Sequence, residues 1–532
     1  MRIEIRHGGH VISDTSARGV EVATMQSLPL MAAAAEQATT PFDYMFRAKA
    51  DDPASRLPQD DPPAMVAALK ALGAAMLEDP PVDDNDSIIP ALYTYWGQFI
   101  DHDLTANTDR DSRISDITKD DLVPVPPAEV VENLRNLRDP RLELDSVYED
   151  APRRDQMFLK VGRNATGGGI EGEVPPDPAD LERDLPRGPD KKAQIGDPRN
   201  DENLIVAQLH TAFLRFHNAA VDWVLANEAH YQGPVAVFNR AQQLTRWHHQ
   251  WLVVHDYLET LTRAGTVDRV LLGGNRHYRP EGEPFMPLEF SVAAFRFGHS
   301  MIRAGYDHNR NFGRGAIVRP FASLNQLFQF TGNHNPPLGG SATLPFNWII
   351  EWDRFVDKGS PFPNRFARRI DTNLAFPLSQ MINEGEGPTV PAAVKPLLKQ
   401  LAQRNLLRGY LLSLPTGQAV ADAIGVAALT PAQVRRGDGG ALDQALQSGG
   451  FNERTPLWYY VLKEAEVQGG GNTLGEVGSR VIAETLIGQL RHDAESYLNV
   501  KSGWSPAQGV RTRAGDLVVT IRDFLHFAGL PA

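Results

Sequence analysis

Three short segments hold residue types that can transfer protons, stabilise charge and ligate a metal. In the first, Tyr93-Thr-Tyr-Trp-Gly-Gln-Phe-Ile-Asp-His-Asp-Leu104, apolar positions follow a helical pattern and polar groups are dense. Gln98 and His102 are four apart and share one helix face, Asp101 lies close to it, and Asp103 points about 100° away from His102. Such a helix presents an imidazole and a carboxylate to a pocket and a second carboxylate elsewhere. A solvated, capped helix end accounts for this segment equally well. In the second, Gly196-Asp-Pro-Arg-Asn-Asp-Glu-Asn-Leu204, acids fall in the first turn of a predicted helix, where the macrodipole favours them. Arg199 and Glu202, three apart, face one cavity or form a surface pair. In the third, Phe295-Arg-Phe-Gly-His-Ser-Met-Ile302, His299 sits in an apolar, aromatic helical pattern beside Gly298, which leaves room for a flat ligand. A lone histidine there is more often a satisfied core residue. What weighs against three accidents is their occurrence in one chain, in this order and in helical context.

The blocks at 97–103, 196–202 with 209–218, and 295–300 resemble the three signature blocks of the animal-type haem peroxidases. These belong to the peroxidase–cyclooxygenase superfamily, the family of myeloperoxidase, lactoperoxidase, peroxidasin and bacterial relatives. A fourth block, Arg404-Asn-Leu-Leu-Arg-Gly-Tyr-Leu-Leu-Ser-Leu-Pro415, is similar to the family segment that supports the axial histidine. The matches span roughly residues 90 to 420, and the stretch from Thr455 to Leu490 resembles bacterial members.

Residue by residue, the resemblance implies a haem b whose iron is ligated by His299, with Asn405 accepting the other ring proton and Arg408 pairing with a propionate. On the opposite side it implies that His102 takes a proton from hydrogen peroxide and returns it to the leaving oxygen. Arg199 would stabilise the charge that develops as the O–O bond breaks, and Gln98 would orient water or a halide. Asp101 and Glu202 stand where mammalian members form haem esters, so at most two such links are expected; a third, through methionine, is not, because that position is Asn203. Asp103 matches a calcium ligand of the family. The nearest counterpart of the rest of that site, Arg141-Leu-Glu-Leu-Asp-Ser-Val-Tyr148, keeps Asp145 and Ser146 but puts Arg141 where the family has threonine, with spacing one residue shorter. A surface salt bridge within 141–148 is the alternative.

The implied activity is peroxide reduction coupled to oxidation of a halide, a pseudohalide or a small phenolic or amine donor. A fatty-acid dioxygenase of the same superfamily is the nearest rival. The tyrosine three residues before the axial histidine in cyclooxygenases is Arg296 here, which leaves Tyr410 as a substitute. A non-catalytic haem-binding protein would not need both His102 and Arg199. A haem-free metal enzyme is suggested by His210 and His217, seven apart, and by His248, His249 and His255. No acidic ligand accompanies them at i+3 or i+4, so buried, hydrogen-bonded histidines are the preferred reading.

The elements that position these residues are mainly helical. Apolar residues recur at helical spacing at Ile205, Leu209, Phe213, Phe216, Ala220 and Val224, and again at Val477, Val481, Leu486 and Leu490. Strand candidates such as Leu517 to Ile521 are short, so the expected fold is mainly α with little sheet. Long Pro-, Gly- and Asp-rich excursions at 105–199, 273–287, 331–345 and 437–450 should be pinned to the body by ions, ligands or contacts. Residues 1–45 are expected to form an N-terminal arm or extension, wrapping the body or partly disordered, and 46–532 one catalytic body. The 532 residues, 42% hydrophobic, carry 66 acidic and 53 basic side chains for a formal charge of −13, which disfavours nucleic acid as a partner. There is no cysteine, which excludes disulfides, thiolate metal sites and thiol catalysis. No apolar run approaches the ~20 residues of a membrane span. The start lacks the positive-then-apolar order of a secretory leader, so the expected location is the cytoplasm, or outside it by a non-Sec route.

Overall fold

The computed structural model describes residues 2–5, 9–13, 20–23, 39–78, 85–109, 117–166, 180–313, 319–356, 366–382, 384 and 392–532. Helices dominate, and the strands are two to five residues long. Six helices frame the site: α1 (Leu92–Leu104), α2 (Leu204–Asn227), α3 (Pro234–Leu252), α4 (Leu401–Leu411), α5 (Leu457–Gly469) and α6 (Glu476–His492). α2 lies along α3 and against α1, and α5 lies along α6. All six apolar positions read from the spacing of α2, and all four from that of α6, are buried. At about 25 cal/mol per Å² of apolar surface, such stripes are what hold helices of this length in place.

The predicted helix start at 196 breaks in two. Pro198–Asp201 is a 3-10 turn, capped by the Asp197 side chain on the amide of Arg199. Asn203 is then extended (φ −127°, ψ 134°), and its side chain accepts from the Ile205 amide at 2.8 Å to start α2. Two competing caps therefore divide what the sequence pattern reads as one helix.

The segment carrying His299 also departs from the predicted helix. Glu289–Ala293 is a π-helical turn and Ala294–His299 a 3-10 turn, with Ala293 at φ −128°, ψ −73° between them. A second π turn, Val253–Tyr257, continues α3 into Leu258–Leu261. Each such turn adds a residue and re-aims the side chains that follow. The 294–299 turn packs against α1 and α5.

Sheet is sparse. Residues 2–5, 9–13 and 20–23 pair as an antiparallel three-stranded sheet. A four-stranded sheet runs in the order Asn107–Asp109, Leu134–Asn136, Thr40–Asp43, Met286–Pro287, with the last pair parallel. Just after its strand, Tyr44 donates its hydroxyl to the Leu412 carbonyl at 2.6 Å, and Glu289 accepts the amides of Met45 and Phe46. The strand candidate at 517–521 does not form: Leu517 makes an isolated bridge with Arg511, and a helix begins at Ile521 under the cap of Thr520.

The excursion at 105–199 is pinned at several points by buried polar side chains. Asn136, fully buried, donates to the Leu104 carbonyl at 2.8 Å and accepts from the Ala106 amide at 2.7 Å, fastening the C-terminal end of α1. Arg187 joins Asp184 to Asp201.

Candidate active site

The three sequence blocks line one open cleft with an empty volume of about 1080 Å³. α1 contributes Gln98, Asp101 and His102; the turn before α2 contributes Arg199 and Glu202; the 3-10 turn contributes Arg296, Gly298 and His299. A Cβ added at Gly298 would meet nothing within 4 Å, so the glycine leaves open space beside His299 as its sequence position suggests. At Gly97 a Cβ would come within 2.3 Å of the Tyr257 hydroxyl, so this glycine lets the π turn close on α1.

Arg199 is held from below. Asp197 accepts its Nη2 at 2.7 Å, its Nε at 3.0 Å and its backbone amide at 2.9 Å, while Nη2 also donates to the carbonyls of His102 (3.0 Å) and Thr105 (2.6 Å). Asp197 is fully buried and also pairs with Arg138 at 2.9 Å. Burial would raise its carboxyl, but Arg199 and Arg138 outweigh burial and hold it well below the usual carboxylate range. So held, Arg199 lines the cleft. For Asp101, burial wins: its carboxyl is raised despite Arg199 and Arg296, and it accepts from the Thr105 hydroxyl at 3.0 Å.

The ring of His102 is held by a residue that the sequence pattern does not single out. Its Nδ1 lies 2.8 Å from Oδ1 of Asn200, whose Nδ2 lies 3.0 Å from Nδ1 of His210. Asn200 is 98 residues from His102, so no local spacing announces the contact.

On the other side, Asn405 of α4 reaches His299 as expected, at 2.8 Å from Nδ1, but it presents Nδ2. Its Oδ1 accepts from Nη1 of Arg296 at 2.8 Å. The expectation that Asn405 accepts the ring proton is therefore not met in this arrangement, because Arg296, which can only donate, takes the amide oxygen. Arg404 rather than Arg408 lines the cleft, and it pairs with buried Glu384 at 3.2 Å. Trp458 donates its indole N–H to the Arg296 carbonyl at 3.1 Å and stands edge-on to the His299 ring. Burial pushes Arg296 down to about 10, a shift that Asp101 opposes and that Arg408 and Arg404 reinforce.

The cleft suits a haem. It is open beside His299, walled by aromatic Phe295 and Phe297, and lined by Arg296 and Arg404, whose repulsion a dianionic cofactor would relieve. The fit to calcium is partial. Asp103 is fully buried, and its two oxygens accept the amides of Leu144 (3.0 Å) and Ser146 (3.1 Å). Asp145 is pushed up to about 7 by burial and then by the charge of Asp103. Arg141 turns instead to Asp139 and Glu143. Among the described residues no group of three or more His, Asp or Glu side chains is placed to hold a metal ion.

The remaining histidines are largely as read. His217 contacts the Tyr148 hydroxyl and the Met157 carbonyl, His248 accepts from the Val510 amide, and His255 meets the Tyr497 hydroxyl. His249 is the exception: fully enclosed, it makes no hydrogen bond and packs edge-on to Phe99 and Phe213. Tyr410 does not line the cleft and donates to the Pro58 carbonyl at 3.3 Å. Tyr93, Tyr95 and Tyr257 do line it.

Residues 126–329 match the family model for the animal haem peroxidase. Over that stretch the chain is similar to the animal haem peroxidases. The matched stretch holds Arg199, Glu202 and His299, whereas His102 precedes it and Asn405 follows it. Thyroid peroxidase of Homo sapiens is 33% identical over 107 residues, covering 20% of this chain and 11% of that protein. The peroxidasin homolog pxn-2 of Caenorhabditis elegans is 29% identical over 124 residues, 23% of this chain and 9% of that protein. The similarity thus spans about a tenth of these relatives' length. In fold, the chain is similar to peroxidase A of Dictyostelium discoideum (TM-score 0.54, 14% identity, 87% of this chain and 90% of that one). It is also similar to the fatty acid alpha-dioxygenase of Oryza sativa (TM-score 0.56, 12% identity, 92% and 80%). The mainly helical architecture is similar to that of these two structures. No helix among the described residues is long and apolar enough to cross a membrane.

Proposed function

We propose that this protein is a haem peroxidase that reduces hydrogen peroxide and oxidises a halide, a pseudohalide or a small phenolic or amine donor. The observation that carries the reading is the convergence of His102, Arg199 and His299 on one cleft. Haem, when bound, supplies an iron centre that takes two oxidising equivalents from peroxide and passes them to the donor. His299 would ligate the iron through Nε2, and Arg296 and Arg404 would meet the propionates. His102 accepts the peroxide proton at Nε2 and returns it to the departing oxygen. Arg199, immobilised by Asp197, stabilises negative charge at that oxygen without reorganising. Gln98 orients a small polar molecule beside it.

Asp101 and Glu202, both lining the cleft, are the candidates for ester links to haem. Asn203 caps α2 and offers no sulfur for a third. A calcium ion at Asp103, Asp145 and Ser146 is supported by the hydrogen bonds that tie the Asp103 carboxylate to the amides of Leu144 and Ser146, and a rise in melting temperature with added calcium would report it. The second reading, a fatty-acid dioxygenase, is favoured by the three tyrosines lining the cleft and tested by the same experiment.

That experiment is haem titration of the purified protein followed by stoichiometric peroxide. A Soret band that shifts and returns when donor is added supports the peroxidase. Oxygen uptake with a fatty acid supports the dioxygenase. A band indifferent to both leaves a haem-binding protein, and no Soret band refutes all three.

A further inference from the structure

We propose that Asn200 is a positioning residue: its amide fixes the proton of His102 on Nδ1 and leaves Nε2 as a base towards the cleft. The functional consequence rests on the peroxidase reading, but the geometry does not.

Asn200 is fully buried and His102 nearly so, and the Nδ1 edge of the ring meets the Asn200 amide. An amide oxygen only accepts and an amide nitrogen only donates. With Oδ1 at 2.8 Å, Nδ1 of His102 carries the proton; with Nδ2 at 3.0 Å, Nδ1 of His210 accepts. Fully buried His210 is pushed down to about 3 by burial, so it stays a neutral acceptor. One amide thus reads two imidazoles. Turning it over would exchange both tautomers and leave His102 with an N–H towards the peroxide site, a donor where the reaction needs a base.

The backbone supports the same arrangement. Asn200 sits in the 3-10 turn Pro198–Asp201 beside Arg199, which holds the carbonyl of His102 while Asn200 holds its ring. His210 is buried in α2. Adjacent residues of one turn therefore address the main chain and the side chain of the same histidine.

The test is long-range nitrogen–proton correlation NMR on haem-free protein labelled with ¹⁵N-histidine, with signals assigned from His102→Gln and His210→Gln. The expected wild-type pattern is Nδ1–H for His102 and Nε2–H for His210, with His102 becoming a tautomer mixture in Asn200→Ala. An Nε2–H form of His102 in the wild type overturns the proposal, and so does an unchanged tautomer in Asn200→Ala. If that variant does not fold, the wild-type pattern decides alone. In haem-loaded protein, Asn200→Ala should slow the bimolecular reaction with peroxide about 10- to 100-fold. Asn200→Asp, which keeps an acceptor opposite Nδ1, should restore most of the rate. Equal rates in Asn200→Ala and wild type overturn the proposal. Failure to take up haem would refute the peroxidase reading, while the tautomer result would still decide the role of Asn200.

Discussion

Asp197 grips Arg199 along its guanidinium edge, with Oδ2 2.7 Å from Nη2 and Oδ1 3.0 Å from Nε, and holds Arg138 with the same carboxylate. Replacing it by asparagine leaves buried Arg199 without its counter-charge, while Arg138 keeps Glu149, at 2.7 Å. Asp197→Asn should cost about 3–5 kcal/mol in urea unfolding. The folded-state pKa of Asp197 is depressed, so its stabilisation is complete above the unfolded carboxylate value of about 3.9 and drains away as pH falls below it. The variant should therefore lose less on acidification than the wild type does. A loss under 1 kcal/mol at neutral pH would mean that the clamp does not operate in solution.

His102→Ala should reduce the rate of peroxide reaction of the haem-loaded protein by roughly 10²- to 10⁴-fold while leaving haem affinity nearly unchanged. Stopped-flow mixing reads the rate. A loss below threefold would assign proton transfer to another group.

Asn136→Ala strips partners from the buried Leu104 carbonyl and Ala106 amide at the end of α1. About 2–4 kcal/mol of stability should go with them, seen as a lower urea midpoint with an unchanged m-value. An unchanged midpoint would show that this strap does not hold α1.

His249, pushed down to about 3 by burial, binds no proton in the folded protein at pH 5, whereas the unfolded chain binds one below about 6.5. The stability it permits is thus present above pH 6.5 and lost as pH falls through that value. His249→Phe suits the aromatic surroundings of Phe99 and Phe213. Relative to wild type, the variant should gain about 2 kcal/mol between pH 8 and pH 5 in paired urea titrations. Parallel pH profiles would contradict an enclosed, neutral His249.

With haem bound through Nε2, His299 needs an acceptor at Nδ1, so Asn405 must turn its amide over and release Arg296. Asn405→Ala should raise the reduction potential of the bound haem by removing the group that supports ligand basicity. Spectroelectrochemical titration reads the shift, and an unmoved potential would show that Asn405 does not reach the ligand in the loaded protein.

Much of this site is readable in the sequence because helical spacing and block order are local properties. His102 and Gln98 share a face of α1, and the apolar stripe of α2 from Ile205 to Val224 is buried as spaced. What escapes the sequence is decided by contacts between distant segments. Asn200 has no periodic signature, since its partner lies in another helix. The amide orientation of Asn405 depends on a competition with Arg296 that no motif states. The break at Asn203 and the π turn at 289–293 arise where caps and packing override helical propensity. Arg404 and Arg408 differ by one turn of α4, and a turn is all that separates lining the cleft from lying outside it.

The four-stranded sheet inserts Thr40–Asp43 between Leu134–Asn136 and Met286–Pro287, and the cleft draws on α1, the turn at 198–201 and the turn at 294–299, with α4 behind His299. A ribosome delivers the two imidazoles that share this cleft at widely separated times. The half bearing His102 waits, incompletely folded, for the sheet to acquire its parallel edge and for His299 to emerge. On the peroxidase reading, haem capture would come among the last events of maturation, and a cofactor that binds only the finished cleft would act as its latch. Cells short of haem would accumulate a less stable, more protease-sensitive population rather than a merely inactive one.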